Sequence, residues 1–151
     1  MPSWVGLLAA LSMWLVAMGV IAWTWNRHVA VMTASGVEVD DRDRHISVER
    51  VARYHTLGWT VVLFIFFVLL DLAAFPLWQR LGFSGLLALV YGGHAISRGE
   101  GEWVGRDDPG AFALFGRFRD ALWYRVLMVT DWAAYLATIV FGADLAVELI
   151  A

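Results

Sequence analysis

The sequence predicts an all-α, polytopic membrane protein built as a four-helix transmembrane bundle, and three observations carry that expectation. Of 151 residues, 60% are apolar and 17% charged, with a mean hydropathy of +0.65; a soluble domain is nearer half apolar and a quarter charged. The run from Trp4 to Trp25 contains no charge, and ~20 apolar residues are what the hydrocarbon core of a bilayer requires. Four such spans take up most of the chain. Residues 1–151 therefore read as a single transmembrane domain with no room for a separate catalytic module.

The first span is expected at about residues 4–25. A signal peptide is the competing reading, but the run exceeds the usual ~7–15-residue apolar region and nothing basic precedes it. A polar loop over about 26–54 holds Asp40, Asp41, Arg42, Asp43 and Arg44, and from Ser47 it reads as the start of the next helix. The second span, about 55–78, contains the densest apolar block, Val61 to Leu70, and closes at Pro76 and Gln79-Arg80. Gly82 then marks a tight hairpin into a third span of about 81–97, whose ~26 Å falls a little short of the ~30 Å core. A second loop over about 98–120 includes Asp107-Asp108-Pro109-Gly110, a turn composition. The fourth span is expected at about 121–145.

Orientation follows from the arginines. Arg27, Arg42, Arg44, Arg50, Arg53, Arg98, Arg106, Arg117 and Arg119 all fall in the two long loops, and only Arg80 lies opposite. The positive-inside rule counts basic residues rather than net charge, so both loops are expected in the cytoplasm and both termini outside a cell membrane. Trp4 and Trp78 fit an outer aromatic belt, and Trp23, Trp25, Trp59, Trp103 and Trp123 an inner one. Trp14 and Trp132 lie deeper, as packing residues.

Missing residue types exclude chemistry. Without cysteine there is no disulfide, iron–sulfur cluster, thiolate haem ligand or c-type haem attachment. All eleven basic residues are arginine, so a Schiff base with retinal or pyridoxal has no amine to form on. A net charge of −3 gives no reason to expect nucleic acid.

Asp71 and Asp131 lie inside the second and fourth spans, where an ionisable residue costs several kcal/mol unless paired or solvated. Counted from the cytoplasmic ends, both fall near mid-membrane and are expected to face one another. Two close carboxylates can share a proton, which points to an ion or proton path; the plain structural alternative is a protonated aspartate bonded to a neighbouring Tyr, Trp or Thr. No basic residue is expected at that depth. Helical spacing puts Tyr124, Met128, Asp131, Tyr135, Thr138 and Gly142 on one face of the fourth span. Ser84, Ala88, Tyr91, His94 and Arg98 form a similar stripe on the third, and Thr60, Phe64, Phe67 and Asp71 on the second. Where these meet they make either a polar cavity or ordinary interhelical hydrogen bonding beside small residues.

His28, His55 and His94 fall near the cytoplasmic boundary, with His45 in the adjoining loop. His55 and His94, on different helices, fit axial ligation of a haem b iron. With Glu100, Glu102, Asp107 or Asp108 they also fit a divalent cation, but no spacing is diagnostic and no metal site is assigned. Interfacial histidines are also common simply as amphipathic residues at headgroup level.

Val48-Glu49-Arg50-Val51-Ala52-Arg53-Tyr54-His55 resembles the start of the second helix in the MAPEG superfamily, the membrane-associated proteins of eicosanoid and glutathione metabolism. Arg50, Arg53 and His55 match that family's Arg-x-x-Arg-x-His, and Gly93-His94 is similar to a Gly-Arg at a comparable place. Leu57 and Thr60 stand where the family has Asn and Glu. The resemblance implies the four-helix fold and a trimer, and for an enzyme a glutathione site with a lipophilic second substrate. In that reading Arg50, Arg53 and Arg117 hold an anionic group and Tyr124 donates a hydroxyl.

The leading expectation is a small integral membrane protein in the lipid bilayer, with an ion or proton path through Asp71, Asp131, Tyr135, Thr138 and Tyr91, or a subunit of a homo-oligomer or larger membrane complex. A MAPEG-like enzyme and a haem b redox protein are the alternatives.

Overall fold

The computed structural model describes residues 2–34, 36, 38, 41, 44–45, 47–52, 57–102 and 122–151, with side chains for all of these except 28, 32, 50, 91–102 and 122–125. The described residues form five helices and no strand: α1 (Ser3–Ala34), α2 (Val48–Ala52), α3 (Leu57–Leu72), α4 (Leu77–Glu102) and α5 (Leu122–Ile150). Two of them, over Ser3–Val31 in α1 and Val126–Ile150 in α5, are long and apolar enough to cross a membrane; α3 and Leu77–Val90 of α4 are apolar but shorter.

The helix ends differ from the expected spans for local reasons. α1 runs through Asn26-Arg27-His28 to Ala34, since nothing there breaks a helix before Gly36, whose φ of 87° and bond to the Thr33 carbonyl mark the stop. The second span was expected to reach residue 78, but α3 ends at Leu72. The Phe75 amide donates to the Leu70 carbonyl and the Ala74 amide to the Asp71 carbonyl, with Ala74 left-handed at φ 62°. That is a Schellman cap with alanine where glycine is usual, and Pro76 follows it. α4 then begins at Leu77, its first amides bonded to the Pro76 carbonyl. Gly82 is therefore a helical residue and not the hairpin. α4 also continues through Gly99 and Gly101 to Glu102, past the expected end at 97.

α5 is the centre of the fold. α1, α4 and α3 each pack along it, α3 and α4 meet near their shared turn, and α2 rests on α1. Its faces are apolar all round, as a helix covered on several sides requires. The core joins Leu63 and Phe67 of α3, Ala88 of α4, and Tyr135, Leu136, Ile139, Val140 and Ala143 of α5. α1 presents Ala10, Ala17, Met18, Ile21, Ala22, Trp25 and Val29 as a buried stripe. Trp25 is thus a core residue, not part of a belt, whereas Trp23 is exposed and its ring lies under the Arg27 guanidinium.

The outside is more apolar than the inside is charge-free. Leu8, Val16, Val62, Ile65, Leu69, Leu86 and Leu89 are exposed, while Arg80, Asp131 and Asp144 are buried. A water-soluble fold reverses that distribution. Side-chain hydroxyls also turn back on their own helices: Ser12 donates to the Leu8 carbonyl, Ser84 to Leu81 and Thr138 to Ala134. Such back-bonding satisfies each hydroxyl within its own helix.

Candidate functional site

Two polar assemblies sit on α5, and neither pairs Asp71 with Asp131. The first is an ion cluster at the end of the fold where α3 stops, α4 starts and α5 finishes. Arg80 is buried there, its side chain 7% exposed. Its Nη2 lies 3.3 Å from the Asp71 carboxylate, its Nη1 pairs with Asp144, and its Nε donates to the Phe75 carbonyl at 2.9 Å. All three guanidinium nitrogens are engaged, two by carboxylates from different helices, which suits a planar fork better than a point charge. The local chain makes this possible. The Schellman turn folds α4 back so that a residue in its first turn reaches both the last turn of α3 and the carbonyl between them. Close by, the Ser3 hydroxyl donates to Glu148, tying the start of α1 to the end of α5.

Arg80 is the counter-ion that no depth count foresaw, and Asp144 and Glu148 were not singled out at all. Asp144 lies thirteen positions after Asp131 on one continuous helix, ~20 Å at ~1.5 Å per residue. Asp71 belongs to the Asp144 end. The expectation that Asp71 and Asp131 meet at mid-membrane is corrected accordingly; Asp131 is buried at 2% exposure, one helical turn before Tyr135.

The second assembly is a cavity of about 440 Å³ between α1, α3 and α5. Its wall is Leu7 and Trp14 from α1, Leu57, Thr60 and Phe64 from α3, and Tyr135, Thr138, Ile139 and Gly142 from α5. Two of the three stripes read from helical spacing converge here: Thr60 and Phe64 on α3 face Tyr135, Thr138 and Gly142 on α5. The Thr60 and Tyr135 hydroxyls bond to one another across the two helices. The Tyr135 ring is held between Trp14 at 5.3 Å and the edge of Trp132 at 5.4 Å. Among the described residues α1 and α3 do not pack on each other. The cavity is therefore a groove floored by α5 and open sideways.

Several candidate residues fall elsewhere. His55, Arg53 and Arg117 lie outside the described residues, as do the side chains of Arg50, Tyr91, His94 and Tyr124, so the haem b pair and the glutathione residues have no described geometry. Among the described residues no group of three or more His, Asp or Glu is placed to hold a metal ion. No protein-family model, curated protein or solved structure matches the chain.

Proposed function

We propose that the chain is an integral membrane protein, with α1, α3, α4 and α5 crossing the bilayer up-down-up-down and both termini outside, and that it binds a lipophilic small molecule in the groove between α1, α3 and α5. The observation that carries this reading is the groove itself. It has the size of a ligand site, is apolar apart from a few convergent hydroxyls, and opens onto a surface that is apolar in turn. A molecule dissolved in the acyl-chain region reaches it without crossing water.

Binding has more support than conduction. Between Asp131 and the Asp71–Arg80–Asp144 cluster the buried residues of α5 are Ala134, Tyr135, Leu136, Ile139, Val140, Phe141 and Ala143; the Tyr135 hydroxyl is bonded to Thr60, and beyond it the stretch is apolar apart from Thr138, whose hydroxyl donates to the Ala134 carbonyl of its own helix. A proton or ion moving between the two carboxylate sites would cross that apolar stretch. Asp71, moreover, is clamped by a guanidinium.

Carbene photolabelling with a small diazirine hydrocarbon tests the groove. In the full chain in bilayer nanodiscs, label should concentrate on Trp14, Phe64 and Ile139 several-fold above outward Ile65 and Leu86. A Cβ at Gly142 would meet only Phe64 at 3.9 Å and Leu7 at 4.0 Å, so Gly142→Leu should fill the groove and abolish the excess without lowering the melting temperature. Equal labelling inside and outside would sink the reading.

The absence of cysteine makes topology simple to test. Ala151→Cys should react with an impermeant maleimide on intact cells, and Arg44→Cys only after permeabilisation; the reverse pattern would overturn the orientation.

A further inference from the structure

We infer that the groove selects an uncharged, weakly polar lipophile, such as a long-chain alcohol, ketone or ester, over a fatty-acid anion of the same length. This rests on the ligand-binding reading above and concerns what the groove recognises. None of its wall residues carries a carboxylate, guanidinium or imidazole. Its polar groups are the bonded hydroxyls of Thr60 and Tyr135, the Thr138 hydroxyl that donates to Ala134, and the Trp14 indole. A hydroxyl has one proton to donate and two lone pairs to accept with, so this set suits a neutral oxygen function of either polarity.

A carboxylate would fare badly in the same place. Burying an anion without a cation is far more costly than burying a hydrogen-bonded neutral group. The guanidinium of Arg80 is turned to Asp71, Asp144 and a backbone carbonyl and does not line the groove. The hydroxyl pair and the absence of a cation among the described wall residues therefore act together: one admits a neutral oxygen, the other rejects an anion.

Two diazirine probes of equal chain length, a long-chain alcohol and the matching carboxylic acid, test this in the full chain at pH 8 with peptide mapping. The alcohol should label peptides containing Trp14 and Ile139 at least tenfold more than the acid does. In the double variant Thr60→Val, Tyr135→Phe, labelling by the alcohol should fall about five- to tenfold, the effect of losing one ordinary hydrogen bond, while the apolar diazirine hydrocarbon still enters. Equal labelling by acid and alcohol would overturn the selectivity and leave the groove standing. An unchanged double variant would overturn the role of the hydroxyls. Failure of the hydrocarbon to label the groove would instead remove the binding reading itself, so the two failures are distinguishable.

Discussion

Replacing Arg80 with methionine should cost about 3–5 kcal/mol of folding stability, the usual penalty for removing one partner of a buried ion network. In the native fold its guanidinium separates Asp71, which is on α3, from Asp144 on α5. The variant leaves two carboxylates facing each other around an apolar side chain, with the Phe75 carbonyl also without its Nε donor. Reversible unfolding in mixed micelles, followed by circular dichroism, measures the loss. Arg80→Lys should recover only part of it, because one ammonium cannot span three acceptors set at the angles of a fork. Replacing all three together, Arg80→Met with Asp71→Asn and Asp144→Asn, should recover most of it, since the cost arises from uncompensated charge and not from lost attraction alone. A methionine variant as stable as the parent would show that the cluster is not formed.

That cluster also marks where reading the sequence stopped short. The helices and their order were visible because long apolar runs separated by charge have few other interpretations. The groove wall was partly visible for the same kind of reason: steps of three and four put Tyr135, Thr138 and Gly142 on one face whatever packs against it. The ion cluster was not, and the cause is one turn. A left-handed C′ residue is normally glycine, but here it is Ala74, so the nearest recognisable breaker was Gly82, several residues later. Moving the end of α3 from residue 78 to Leu72 shifts depth by ~9 Å. With the later end Asp71 counts as mid-span and Arg80 as an external loop residue; with the earlier one they adjoin. Asp144 needed more still, because its partner lies 64 positions away in sequence. Only the packing of α4 on α5 brings them together.

Gly6 should be the least replaceable glycine of α1. A Cβ placed there would lie 2.3 Å from Cε1 and 2.4 Å from Cδ1 of Phe141 on α5, well inside van der Waals contact. Phe141 is itself buried, so its ring has little room to retreat, and α1 must shift away from α5. Gly6→Ala is therefore expected to cost ~1–3 kcal/mol, the range for overpacking a filled interface, and Gly6→Leu more. Gly19 lies on the same helix with nothing within 4 Å of its would-be Cβ; Gly19→Ala should be neutral or slightly stabilising through helix propensity. Phe141→Leu shortens the opposing side chain and should offset part of the Gly6→Ala loss, giving a coupling of ~0.5–3 kcal/mol in a double-mutant cycle. The consequence reaches the groove, because Leu7 and Trp14 are carried by α1. Displacing that helix moves Trp14 from its 5.3 Å contact with Tyr135, so groove photolabelling should fall in Gly6→Ala and return in the double variant. If Gly6→Ala proves as harmless as Gly19→Ala, α1 does not approach α5 this closely, and the groove between α1 and α3 loses one of its walls.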